Sequence, residues 1–260
     1  MKQRTETRPL LSARLLGALC GASALVYALA FAPASFIPAL AIPPGADVSV
    51  TRATGTIWRG VLENVRTQGV AVGDIAYKTN PLALFAGRFA VDLSIKNGAL
   101  AGRGRFSAGL DGKVTLAKAA FRFELNAATR YAFLGAPLDG ELRADVDRLT
   151  LSREGCIVSR TRLWTDALAA PAKRFATEGF DLAGDGVCSG RDLLVALSGE
   201  GGVGAVNLSM RVSPDLSYTL IAEAEPARSE VADILRFLGF AQTGDALTIG
   251  ATGALQGVGS

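Results

Sequence analysis

The sequence has no histidine, only 3 cysteines and 7% aromatic side chains among its 260 residues. Without histidine there is no Ser-His-Asp or Cys-His nucleophile, no His-ligated metal and no imidazole acid or base near neutral pH. Three cysteines fall short of the four thiolates of an all-cysteine zinc site. Scarce aromatics argue against a base-stacking nucleic-acid platform. Net charge is also nearly absent from the body of the chain. The overall +3 arises before Leu15, where Lys2, Arg4, Arg8 and Arg14 oppose Glu6 alone, and from Pro33 onward acidic and basic side chains balance. A phosphate-binding protein would carry its positive charge on the folded domain. Nucleic acid is therefore not an expected partner.

One long apolar run is present. Leu15 to Ala32 carries no charge, and as a helix it would be about 27 Å long, close to the ~30 Å hydrocarbon thickness of a bilayer. Residues 1–14 are expected to be a cytoplasmic basic tail and 15–32 a single-pass transmembrane anchor, with the rest of the chain on the far side. Ala28-Leu29-Ala30 also fits a signal-peptidase site, so a cleaved signal peptide is the competing reading; both place the body in the same compartment. Cys20 reads as a small apolar filler in this helix. Residues 33–47, with Pro33, Pro38, Pro43 and Pro44, are expected to form a stiff Pro-rich connector.

From residue 48 to 260 the dominant period is two. Phe89, Val91, Leu93 and Ile95 alternate with polar neighbours, as do Leu142, Ala144 and Val146, and Val206, Leu208, Met210 and Val212. The second pattern slips at Arg148, which predicts a bulge nearby. Turn signals stand at Asn97-Gly98, Asp111-Gly112, Asp139-Gly140, Asp185-Gly186 and the glycines at 199, 201, 202 and 204. Two helical pieces are expected: a single turn within 80–87, and Ser229 to Leu238. In the second, Ser229 would cap the helix, and Val231, Ile234, Leu235 and Leu238 would face the sheet. The fold class is mostly β: an extended curved antiparallel sheet or an open barrel, with one N-terminal transmembrane helix and one short C-terminal helix.

The residues that could carry chemistry are few. Gly199 to Gly204 fits G-x-G-x-x-G, but an alternating strand follows where a dinucleotide site needs a helix, so it reads as a hairpin turn. Asp145/Asp147 and Glu223/Glu225 are spaced i,i+2 on strands, the pattern of a solvated face. Trp58 and Trp164 are expected to pack in the core, with contact to a partner as the other reading. In an oxidising compartment Cys156 and Cys188 would form a structural disulfide, with two separate buried thiols as the alternative. No catalytic residue, cofactor or metal is expected.

Gly55-Thr56-Ile57-Trp58-Arg59-Gly60 resembles the G-T-[LIV]-W-x-G signature of the type II secretion system protein N family. Later segments arrive in the family's order. Pro81-Leu82-Ala83-Leu84 resembles its P-x-x-L turn and Pro137-Leu138-Asp139-Gly140 its P-L-x-G hairpin. Cys156, Trp164 and Cys188 resemble its cysteine pair, and Phe237-Leu238-Gly239-Phe240 with Gly253-Ala254-Leu255 its closing segment. The likeness spans roughly residues 15–257. The family often has Ser or Asn where this chain has Arg59, and a further Trp where it has Ala76-Tyr77. The resemblance implies a non-enzymatic accessory or scaffolding subunit of a type II secretion apparatus. It would be held in the inner membrane with its N-terminus cytoplasmic and its main domain periplasmic, and its partners would be other inner-membrane secretion subunits. Gly55, Thr56, Trp58, Gly60 and Trp164 are the candidate contact residues. The alternative is a periplasmic lipid-handling protein with an apolar groove.

Overall fold

The alternation translates into strands almost throughout. The computed structural model describes residues 13–36, 47–67, 69–127, 139–174 and 178–254. Most of the basic tail, most of the Pro-rich connector, Pro137-Leu138 and Leu255 lie outside the described residues. The chain begins with helix α1 (Ala13–Ala30) and continues into β1 (Val48–Ser49), β2 (Arg52–Thr56), β3 (Arg59–Thr67) and β4 (Val70–Thr79). A short helix α2 (Leu82–Phe85) leads to β5 (Arg88–Lys96), β6 (Leu100–Gly109) and β7 (Val114–Glu124). A 3-10 turn at Leu125–Ala127 precedes β8 (Glu141–Ser152) and β9 (Gly155–Thr165), followed by helix α3 (Ala169–Arg174). Then come β10 (Leu182–Ser189), β11 (Asp192–Gly201), β12 (Gly204–Val212) and β13 (Ser217–Pro226). Helix α4 (Ser229–Phe237), β14 (Ala241–Thr243) and β15 (Ala246–Ala254) close the described chain.

All the strands belong to one antiparallel sheet, in the order β1-β3-β4 and on sequentially to β13, then β15-β14, with β2 also paired to β3. From β2 to β13 consecutive strands pair with one another, most of them through short turns between alternating runs, whereas β1 pairs with β3 and β13 with β15. The first and last strands do not pair with each other, so the sheet is open rather than a barrel.

The register aligns apolar side chains across nearly its whole width. Ala53, Leu62, Ile75 and Ile95 lie opposite one another, and the row continues through Gly102, Phe121, Ala144 and Leu163. Gly184, Leu197, Leu208, Ala222 and Ile249 complete it. The next row, on the opposite face, includes Ser94, Arg103, Asp145, Arg162, Asp185 and Ser209. One face is thus apolar and the other polar, as strand alternation requires. Where a middle strand ends, its neighbours' chains bond directly past it: the Ala99 N–H donates to the Ala71 carbonyl beyond β5, and the Cys156 N–H to the Arg191 carbonyl beyond β10, each at 2.8 Å.

Among the described residues little covers the apolar face. Helix α2 packs on β5, and α4 on β13 and β15. The chain exposes 17695 Å², against about 11,000 Å² for a compact monomer of its 26.9 kDa. Among the described residues Leu247 is the one large side chain buried to below 2% exposure.

Several local expectations need correction. Asp185-Gly186 is not a turn; it lies inside β10, with Gly186 between Thr161 and Val195. Asp139-Gly140 ends the longer connection from Leu125 to β8 instead of making a two-residue hairpin. Ser229 does not cap α4: Arg228 holds the cap position with no side-chain hydrogen bond. On the same helix Ala232 is the buried residue and Ile234 is 58% exposed, while Val231, Leu235 and Leu238 are half-buried. Helix α2 is the single turn expected within 80–87, whereas α3 was not expected. The predicted slip near Arg148 is a register shift between Val146 and Arg148. The glycine-rich run is a hairpin turn, with Gly201 opposite Gly204.

Candidate functional site

The signature forms the β2–β3 hairpin, with Thr56 opposite Arg59 and Ile57-Trp58 at the tip. Two of its glycines are required by space. Gly55 has φ +97°, the left-handed region that disfavours a side chain, and an added Cβ would lie 2.4 Å from the Arg59 carbonyl oxygen. At Gly60 a Cβ would lie 2.2 Å from the Thr54 carbonyl oxygen and 2.5 Å from the Tyr77 hydroxyl.

The hairpin joins two parts of the molecule. On one side it holds the segment that follows α1. Pro33 forms an antiparallel bridge with Thr56, the Ala34 N–H donates to the Gly55 carbonyl at 3.0 Å, and the Ile57 N–H donates to the Ala32 carbonyl at 2.9 Å. On the other side it is held by β4. The Tyr77 hydroxyl donates to the Thr56 carbonyl at 2.6 Å, and Thr79 donates from its N–H to the Trp58 carbonyl at 2.7 Å and from its hydroxyl to the Ile57 carbonyl at 3.3 Å. The Trp58 N–H closes the tip on the Thr56 hydroxyl at 3.3 Å.

Beneath these bonds Ala34, Tyr77 and Val91 form a buried cluster, packed against Ala53, Leu62, Leu93 and Phe106. Burial raises the Tyr77 phenol above its ordinary pKa. The described start of the Pro-rich connector, Pro33 and Ala34, is held to the hairpin, with Ala34 buried. Sequence reasoning missed Ala34, Tyr77 and Thr79. The one signal was Tyr77 itself, standing where the family carries a large aromatic residue.

Trp164 belongs to a different place. It sits on β9, six strand intervals from β3, and is half-buried. Its cross-strand neighbour Arg143 lies over the indole ring at 4.5 Å from the centroid, a cation–π contact worth about 0.5–1 kcal/mol at an exposed position. Glu141 orients that guanidinium by hydrogen bond and raises its pKa, and also receives Arg122 at 3.3 Å. The Asp166 carboxylate accepts the Glu141 N–H at 2.6 Å. The structure therefore does not bring Trp58 and Trp164 together.

Cys156 and Cys188 are joined by a disulfide, with Cα atoms 5.5 Å apart. Its position has a clear cause. The β9–β10 ladder runs from Thr165/Leu182 to Thr161/Gly186 and stops. Beyond that point the bridge, with the Cys156 N–H bonded to the Arg191 carbonyl at 2.8 Å, keeps the strands from parting.

The paired acids face solvent. Asp145 lies opposite Ala120 and Arg162, Asp147 sits in the bulge 3.9 Å from Arg160, and Glu223 and Glu225 are exposed on β13. Each is a solvated side chain on the polar face. Among the described residues no three His, Cys, Asp or Glu side chains gather as a metal site would need.

The two sheet edges differ. At the β3 edge, β1 and β2 lie end to end along one partner. At the other edge β14 pairs only with Ala246 to Thr248 of β15. Among the described residues Ile249 to Ala254 have no neighbour on that side, and the stretch Ile-Gly-Ala-Thr-Gly-Ala contains no charge and no proline.

Among the described residues no helix is long and apolar enough to cross a membrane. Helix α1 nevertheless occupies the segment expected to be the anchor, and its described side chains from Gly17 to Ala24 are exposed. Neither a search of curated proteins nor one of solved structures finds a match. The family model for type II secretion system (T2SS) protein N matches residues 46–250, from before β1 into β15. The chain belongs to the type II secretion system protein N family and is accordingly a component of that machine.

Proposed function

We propose that the chain is a non-enzymatic scaffolding subunit of the secretion apparatus, with α1 spanning the inner membrane once, its N-terminus cytoplasmic and its sheet periplasmic. The observation that carries this reading is the join between α1 and the sheet. Ala32 to Ala34 are hydrogen-bonded to the signature hairpin, so a force on the helix would pass into the sheet through several bonds instead of through a loose linker. The disulfide suits an oxidising compartment. The open stretch Ile249 to Ala254 is the best place for another secretion subunit to add a strand, because among the described residues no strand pairs with its outer side.

A second reading is favoured by one observation: among the described residues the apolar face lacks a second layer over most of its width. Such a trough could shield acyl chains. One purification separates the two readings. The scaffold predicts that other inner-membrane secretion subunits co-purify with the membrane-solubilised protein, and that T252P, which removes an edge donor, releases them. Lipid handling predicts acyl lipids in the extract of protein purified without detergent. Lipid without any secretion subunit would displace the scaffold in favour of the trough.

A further inference from the structure

The end of the sheet that receives α1 also carries three of the four most exposed large apolar side chains among the described residues. On α2, Leu82 is 73% and Phe85 91% exposed; Leu110, in the β6–β7 turn, is 92% exposed. They form one patch. The Leu110 N–H donates to the Gly87 carbonyl at 3.1 Å, and Phe89 follows on β5, opposite Ala108. Isolated exposed apolar residues need no explanation, but a contiguous group led by a fully projecting Phe and Leu marks a contact surface.

Its place indicates what that surface meets. The Thr79 N–H bonds to the Trp58 carbonyl at the tip of the signature hairpin, whose other side holds Ala32 to Ala34. Residues 80–87 start at once from Thr79. The β2–β3, β4–β5 and β6–β7 turns occupy the same end of adjacent strands, so the patch begins one strand spacing from the end of α1 and lies within about 15 Å of it. Exposed Phe31 and Phe36 flank that helix end. Arg59 and Arg88 are exposed beside the patch, as suits an anionic phospholipid surface.

We propose that Leu82, Phe85 and Leu110 seat in the headgroup–acyl boundary of the membrane that holds α1, a second contact that fixes the tilt of the sheet. This rests on the reading of α1 as an anchor. With one attachment the sheet could swing about residues 31–32; with two, its open β15 edge is presented at a defined height.

The test uses the full chain reconstituted into phosphatidylcholine/phosphatidylglycerol vesicles with brominated acyl chains, which quench nearby indoles. F85W is compared with F237W, a control on α4, where Phe237 is 84% exposed. Signal from Trp58 and Trp164 is subtracted using the unsubstituted chain. Quenching of the added indole should be at least about threefold greater in F85W, as expected for a side chain buried 5–10 Å into the interface. Equal quenching in the two variants, with the protein floating with the vesicles, overturns the patch and leaves the anchor standing. Failure of the unsubstituted chain to float overturns both.

Discussion

The two edges of this sheet show opposite solutions to one problem. At the first edge the chain protects itself. β1 and β2 lie along β3, the segment after α1 is bonded to the hairpin, and Tyr77 and Thr79 hold the hairpin from beneath. At the second edge, three residues of β14 cover the start of β15, and among the described residues the strand then runs on through glycine, alanine and threonine with no neighbouring strand. An edge without charge, proline or bulge is an invitation to another strand. Rigidity and availability are separated: the end joined to α1 is fixed internally, and among the described residues the other end is left without a neighbouring strand.

The comparison can be broken by equivalent substitutions at the two edges. G60V would drive a side chain into the Thr54 carbonyl and the Tyr77 hydroxyl. It should cost about 4 kcal/mol or prevent folding, as measured by urea unfolding. At Gly250 an added Cβ meets only the Leu220 carbonyl oxygen, at 3.7 Å. G250V should therefore change stability by only about 0.5 kcal/mol. Similar losses at both sites would refute the asymmetry.

Next in size is the disulfide, which lies between the edges. The double variant C156S/C188S frees a loop of sequence separation 32 and should lose about 3.5 kcal/mol on the chain-entropy model. Hydrogen exchange should place the loss in β9 to β11, with the Thr79 amide at the clamp unchanged. Exposure of that amide would show that the two regions open together.

Y77F removes one buried hydrogen bond and should cost about 1 kcal/mol. It should also alter the alkaline limb. Burial raises the Tyr77 pKa above 10.0, so the folded state favours the neutral phenol. That contribution is complete below the unfolded pKa and is lost as pH rises through the folded one. The wild-type chain should lose more stability than Y77F above pH 10, and a parallel decline would count against burial as the cause.

The smallest effect belongs to Asp74, whose carboxylate accepts from the Asn64 N–H at 2.9 Å and the Asn97 amide at 2.8 Å. These bonds lower its pKa below 3.8, so its contribution is present above that value and fades as pH falls through the folded pKa. D74N should flatten the stability profile slightly below pH 4. An unchanged slope would show that the bonds do not survive in solution.

Much of this was legible in the residues because alternation reports which side of a strand is buried, and it does so locally. The slip after Val146 became the bulge at Asp147, and Asn80 and Pro81 start a single helical turn, with the Asn80 side chain accepting from the Leu82 N–H at 3.1 Å. Legibility failed where distant partners decide. Asp185-Gly186 has the dipeptide of a turn, yet ladders with β9 and β11 on both sides draw it into a strand. Ser229 has the chemistry of a cap, but the chain enters α4 one residue earlier, with Arg228 extended. The clamp was invisible for a similar reason. It is built mainly from backbone groups of alanine, proline and glycine, and no periodicity marks a hydrogen bond between Ala34 and Gly55. The family signature preserved the site without disclosing what it does; its glycines make room for the join, and its tryptophan sits at the tip.

On the proposed scaffold reading, the clamped edge is occupied from within and the β15 edge by another subunit. Photo-crosslinking in cells tests it directly, with a benzophenone amino acid placed at Thr252 in one strain and at Ala53, on β2, in another. Adducts are expected between Thr252 and an inner-membrane subunit of the type II secretion machine, and none from Ala53. Adducts from Ala53 alone, or from both positions equally, would contradict it.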